Sequence, residues 1–403
     1  MTNDQGLANG DLRLETGLIF MRTTLILMGV FVAAVVDALG ASARVDRAVL
    51  ADGTPAEVRL IARDVCAWPA LTRLPDGTLL IANFNRPSHG RMVGDVDTWA
   101  STDGGRTWEK RAPGAPHEPG TQSNRMNVAF GALPNGEVLL LASGWSLKPD
   151  AKSPSGLEID KVLRPWVSRS RDGGKTWSVE RETFPELSPG GGTQIPFGPV
   201  QAGKNGDLLV PFYDQVKDPK TDKPAWARVY IYRSRDLGRT WGEPVPLDPA
   251  TRLSETALLH VGGGRWLAFA RSDRLTTYAS DDDGRTWANL GPVTERYCYP
   301  ANAIVLADGR VLLCFGNRTE GDPRIEAKVS ADGGRTWSAA VRLVSVTPTP
   351  QVPRLEDMGY PSSVQLADGR VVTAFYAKRT PLHDGYQLAV VTWDPAKTLA
   401  EAK

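Results

Sequence analysis

From about Arg44 onward, the apolar positions fall in short runs rich in Val, Leu, Ile and aromatic residues, each bounded by Gly, Asp, Asn or Pro. Runs of this length and composition read as strands. Only a short tail at Ala396–Lys403 keeps a helical period. Six runs follow a tight-turn signal: Asp76-Gly77, Asn135-Gly136, Asn205-Gly206, Gly263-Gly264, Asp308-Gly309 and Asp368-Gly369. Such dipeptides between β-rich runs mark hairpins.

A second pattern alternates with the hairpins. The string S-x-D-x-G-x-T-W occurs at Ser101–Trp108, Ser170–Trp177, Ser234–Trp241, Ser280–Trp287 and Ser330–Trp337. A spacing of about 45–70 residues indicates a closed array of supersecondary units. The Asp side chain accepts from nearby backbone N–H groups, Gly supplies a positive φ, and Trp closes the turn with an apolar face. Asp103, Asp172, Asp236, Asp282 and Asp332 are therefore read as turn residues, since equivalent positions around a ring lie far apart.

Six hairpins and five such turns predict an all-β fold, a six-bladed β-propeller of four-stranded antiparallel blades. The region around Val45–Ala62 is expected to close the last blade, whose final run Leu388–Trp393 carries no full repeat. Lys148–Lys161 and Asp214–Ala225, rich in Pro, Lys and Asp, read as loop insertions on the propeller faces.

The chain has 403 residues, 41% hydrophobic, with a formal net charge of +1. That balance, without a basic run, excludes a nucleic-acid surface. Met21-Arg22, the apolar run Leu25–Val36 and Ala41-Ser42-Ala43 read as a signal peptide at about 21–43, an uncleaved anchor being the alternative. Residues 1–43 are thus an N-terminal extension and leader, and residues 44–403 the propeller. The expectation is a secreted or periplasmic monomer with no membrane contact beyond the export signal. Cys66, Cys298 and Cys314 lack CxxC or Cys/His spacing, so no metal or cofactor is expected. An oxidising compartment would permit a Cys298–Cys314 bridge, but buried free thiols are the preferred reading.

With these repeats the chain resembles the sialidase (neuraminidase) superfamily, six-bladed propellers whose repeated turn is the Asp box. The resemblance covers about Ala62–Pro395. It implies hydrolysis of a glycosidic bond beside a carboxylate. A Tyr nucleophile activated by Glu avoids repulsion from that carboxylate, arginines hold it, and a separate acid protonates the leaving oxygen. Glu255, in Ser254-Glu255-Thr256, resembles the family's Glu on blade four, and Arg271 at the next strand end resembles the second arginine of its triad. Tyr360, in Asp357-Met358-Gly359-Tyr360-Pro361, resembles the nucleophile. Arg318 is the candidate third arginine, with Arg324 as substitute.

The chain departs from the family on blade one. The Arg-Ile-Pro motif is replaced by Ala67-Trp68-Pro69, without arginine. In the loop that should carry the acid, His89 falls nearest its place, with Asp95 and Asp97 as alternatives, and Arg86 or Arg91 are candidates for the missing arginine. Asn124–Asn127 and Phe197–Pro199 are expected to open inner strands that face the pocket.

The resemblance therefore implies an exported, sialidase-like glycoside hydrolase of the exo-α-sialidase type, acting on an acidic sugar or glycoconjugate without a cofactor. Catalysis would rest on Tyr360, Glu255 and His89 or Asp95, and substrate binding on Arg271 and Arg318. The alternatives are a non-catalytic carbohydrate-binding propeller and a hydrolase or lyase acting on uronic acids.

Overall fold

The computed structural model describes residues 45–49, 55–66, 68–217, 220, 224–347, 356–380 and 382–399. The expected leader at 21–43 and the position of Ala67 lie outside these residues. Among them, no helix is long and apolar enough to cross a membrane. Among the described residues the only helix is one turn, Pro395–Thr398, capped by the Asp394 side chain.

Six antiparallel sheets make a six-bladed propeller. In blade one the strands Ala70–Arg73, Leu79–Phe84, Val96–Ser101 and Glu109–Lys110 pair in sequence order. Blades four and five repeat this order, starting at Thr256–Gly262 and Cys298–Val305. Each of the six hairpin signals joins the first strand of a blade to its second. Second strands are covered on both faces by neighbouring blades. Leu79–Phe84 and Val311–Asn317 are accordingly buried along their whole length and are apolar apart from Asn83 and Asn317.

Blade six is closed by the start of the chain. Gly359–Gln365, Val371–Ala377 and Gln387–Trp393 are joined by Pro55–Arg63, and Val45–Val49 adds a fifth strand. In the other blades the Asp-box turn links the third strand to the fourth. In blade six those two strands come from opposite ends of the sequence, so there is no such turn to encode. That is why five boxes serve six blades.

Two expectations are corrected. Lys148–Lys161 and Asp214–Ala225 are not plain loops. They extend hairpins, Val138–Pro149 against Leu157–Ser170 and Leu208–Lys217 against Pro224–Ser234. The inner edge of blade three is broken: Thr193–Pro196 pairs within the blade, while Gly198–Pro199 pairs in parallel with Met126–Ala132 of blade two.

The boxes have the geometry their composition implies. Asp236 Oδ1 accepts from the Thr240 N–H at 2.9 Å and the Ser234 hydroxyl at 2.8 Å, and Oδ2 accepts from the Thr240 hydroxyl at 2.6 Å. The residue after the Asp takes a positive φ in every copy. It is Gly in three, but Leu237 and Asp283 accept φ of 58° and 61°. Partial burial would raise the Asp236 carboxyl. The Thr240 hydroxyl and N–H, Ser234 and the Arg239 N–H outweigh it and hold the group at about 2.

Asp236→Ala should therefore cost about 1–2 kcal/mol at neutral pH, comparable to loss of a helix cap, with turnover per folded molecule unchanged. The folded-state carboxyl lies below its unfolded value, so this contribution is present above about pH 4. It disappears as pH falls toward 2, and denaturant midpoints of wild type and variant should converge there. Selective loss of turnover in folded Asp236→Ala would overturn the structural role.

Candidate active site

The inner strands begin at one end of the hub, and strain is concentrated there. Trp68, Asn127, Tyr297 and Tyr360 have φ of 41°, 45°, 67° and 48°, beside the strand starts at Ala70, Met126, Cys298 and Gly359. Positive φ at non-glycine residues costs about 1–3 kcal/mol each and persists only where the surroundings over-determine it. Blades five and six approach backbone to backbone at Gly316 and Gly359. A Cβ on Gly316 would sit 3.0 Å from the Gly359 Cα, and Gly359 itself has φ 112°. This contact brings the strand end carrying Arg318 beside Tyr360. The hub cavity below is lined by Trp68, Asn127, Phe197, Ala301, Tyr360 and Ser362 among others.

At the centre, the Tyr360 hydroxyl donates to Glu255 Oε1 at 2.6 Å, and Arg271 Nη1 donates to the same oxygen at 2.8 Å. Burial would raise the Glu255 carboxyl, but the Arg271 charge and the Tyr360 hydrogen bond hold it below its ordinary value. Glu255 is thus a carboxylate. Burial, joined by the Glu255 charge, pushes the Tyr360 phenol well above its ordinary value despite Arg271 and Arg318. The pair therefore rests as phenol and carboxylate, with a short path for one proton between them.

The Arg318 guanidinium lies 5.7 Å from the Tyr360 ring centroid and 5.5 Å from that of Tyr299, while Arg271 stacks on Tyr299 at 4.0 Å. One ring thus carries both arginines. Arg318 is 7% exposed, and its Nε and Nη2 have no hydrogen-bond partner among the described residues. A buried cation with unused donors is costly unless an anion completes it. Arg324 is already committed, to Glu326 at 2.7 Å and Asp322 at 2.8 Å.

Trp68 separates this cluster from a second one. Its ring lies 6.3 Å from Tyr360 and makes an edge contact with His89 at 4.8 Å. His89 Nδ1 is 3.0 Å from Asp357 Oδ2. Asp357 also accepts from the Tyr376 and Tyr386 hydroxyls. Burial would raise the Asp357 carboxyl, yet the hydrogen bond and charge of His89, with Arg318 and Tyr376, hold it well below its ordinary value. Cys66 is fully buried beside it, and burial, with the Asp357 charge, pushes its thiol up.

The structure thus gathers Tyr360, Glu255, Arg271, Arg318 and His89 at one end of the hub. It does not bring Asp95 to them: Asp95 pairs with His117 at 2.7 Å, and Asp97 with Lys110 at 2.6 Å. Arg86 Nε donates to the Val93 carbonyl and Arg91 pairs with Glu158, so neither fills the missing arginine's place. Arg125, buried on blade two, stacks on Trp166 at 3.4 Å, and desolvation lowers it to about 9. Asn124 ties the Gly90 and Met92 carbonyls of the His89 loop to blade two. Sequence reading missed Tyr299, Asp357 as the partner of His89, and Cys66. Tyr299 lies at an inner-strand start and Asp357 just before one, as Tyr360 does, and that position is the signal that could have pointed to them.

The fold and this cluster define a propeller with a buried site of neutral phenol, carboxylate and guanidinium at the mouth of its hub. Residues 77–373 match the BNR repeat-like domain, and the chain belongs to that family, in the sialidase superfamily of six-bladed propellers. It is 28% identical over 342 residues to a sialidase of Micromonospora viridifaciens (75% of this chain, 48% of the relative). It is 26% identical over 317 residues to a sialidase of Bacteroides fragilis strain YCH46 (68% of this chain, 54% of the relative). The chain thus spans about half the length of these curated relatives. A solved structure of a protein of unknown function from Dyadobacter fermentans DSM 18053 superposes with a TM-score of 0.66 at 22% identity, covering 87% of this chain and 99% of that one.

Proposed function

We propose that the protein is a sialidase-type glycoside hydrolase acting on a carboxylate-bearing sugar. The observation that carries this reading is the 2.6 Å hydrogen bond from Tyr360 to a Glu255 oxygen already paired with Arg271. The sialidase relatives support it. Arg318, with donors to spare, and Arg271 receive the sugar carboxylate. The Tyr360 oxygen attacks the anomeric carbon as its proton passes to Glu255. His89, held at Nδ1 by Asp357, presents Nε2 to the leaving oxygen and supplies its proton. In the second half, His89 takes a proton from water, water displaces the phenolic oxygen, and Glu255 returns its proton to Tyr360. Two displacements at one carbon retain configuration.

Two arginines in place of three, with Trp68 beside the missing one, favour an acidic sugar other than sialic acid within the same reaction class. Fluorogenic sialosides and uronides, run in parallel, separate these substrates, and release of neither would overturn the proposal.

His89 has its own diagnostic. His89→Gln should slow hydrolysis of an alkyl glycoside by roughly 10²- to 10⁴-fold, the usual contribution of a general acid. It should barely change hydrolysis of a nitrophenyl glycoside, whose leaving group departs without a proton. Equal losses on both substrates would remove His89 from this role.

A further inference from the structure

We propose that Cys66, His89 and Asp357 form a binding site for a divalent ion of the zinc class at the mouth of the hub. A thiol sulfur, an imidazole nitrogen and a carboxylate oxygen lie within 4.8 Å of one another. They come from blade one, from the loop after its second strand, and from the approach to blade six, so no spacing along the chain announces them. Donors bound tetrahedrally to one zinc ion stand roughly 3–4 Å apart. His89 Nδ1 and Asp357 Oδ2 already stand 3.0 Å apart. Small side-chain rotations close the rest.

The surroundings are those of a ligand set rather than of scattered polar groups. The Tyr386 hydroxyl donates to Asp357 Oδ2 and lies beside the Cys66 thiol, so it borders two of the three donors. The Tyr376 hydroxyl holds the other Asp357 oxygen at 2.5 Å. Hydrogen-bonded carboxylates of this kind are usual around metal ligands. A thiolate, a carboxylate and a neutral imidazole balance a doubly charged ion. Sulfur and nitrogen donors select zinc over magnesium or calcium. The fourth position opens beside His89, whose side chain is 53% exposed.

Binding releases the Cys66 thiol proton and requires His89 Nδ1 to give up its hydrogen. The ion therefore replaces the His89–Asp357 hydrogen bond. Resting on the proposed hydrolase reading, metal occupancy switches the enzyme off by removing its proton donor.

The full-length protein can be titrated with Zn²⁺ against a chromophoric chelator, and with Co²⁺ by absorbance. One equivalent should bind, with a thiolate-to-cobalt charge-transfer band, and Mg²⁺ should not compete. Cys66→Ser should lose the band while keeping metal-free hydrolysis. Tyr386→Phe, which preserves packing, should weaken binding roughly 10- to 100-fold, as loss of such supporting hydrogen bonds does. Zn²⁺ should inhibit wild type, with chelator restoring activity, and should inhibit Cys66→Ser only at much higher concentration. Absence of a charge-transfer band in wild type, or equal binding by wild type and folded Cys66→Ser, would overturn the site. One equivalent bound with hydrolysis unchanged would uphold the site and count instead against His89 as the proton donor.

Discussion

Tyr360→Phe is expected to lower kcat on any activated glycoside substrate by roughly 10⁴- to 10⁶-fold, the range seen when members of a catalytic nucleophile–base unit are removed. The loss should fall on the chemical step alone. The phenol ring packs against Trp68, Phe197 and Tyr376, and Phe keeps those contacts. It also keeps the φ of 48°, since both residues meet the same backbone strain. Glu255 remains neutralised by Arg271 at 2.8 Å, so no buried charge is left alone. Thermal unfolding should therefore move little and ligand binding should persist. Comparable turnover by wild type and Tyr360→Phe would exclude the phenol as nucleophile. The same experiment addresses the phenol's raised titration. Because burial and the Glu255 charge oppose free phenolate, attack has to be coupled to proton transfer. Glu255→Gln should then lose much of the same rate with the hydroxyl still in place.

The architecture was legible because it repeats. Each hairpin signal and each box is a local statement about backbone conformation, and eleven such statements leave little freedom. The box works through bonds within eight residues, as Ser234–Trp241 shows, so sequence alone carries its geometry. The hairpin extensions at Val138–Pro149 and Leu208–Lys217 were misread because Pro and Lys at their tips mask the pairing. Within the site, Glu255, Arg271, Arg318 and Tyr360 could be named because the family resemblance assigns them roles and the repeat fixes the strand ends where they lie. The neighbourhood of His89 could not be read this way. Asp357 stands 268 positions from it, and their meeting depends on how the loop after Phe84 folds across the closing blade. The metal-ligand set escaped for the same reason.

Arg318→Met should separate stability from function. In the free protein the guanidinium is 7% exposed with Nε and Nη2 unpaired among the described residues. Unpaired buried donors cost about 1–3 kcal/mol, so an apolar side chain of similar reach should raise stability by about that amount. Substrate carboxylate turns the same donors into a charge-assisted pair in a water-poor pocket. Truncating one side of such a pair typically costs about 2–4 kcal/mol, or roughly 30- to 1,000-fold in KM or Kd. The variant should therefore melt later and bind acidic sugars worse, while a neutral sugar of the same shape binds unchanged. Arg324→Met is the matched control. Its ion pairs with Glu326 and Asp322 make it a stabilising residue, and its removal should lower the melting temperature with KM unaltered. Should Arg318→Met destabilise the fold while leaving KM alone, the unpaired guanidinium would be a packing residue and the carboxylate clamp would have to be sought elsewhere.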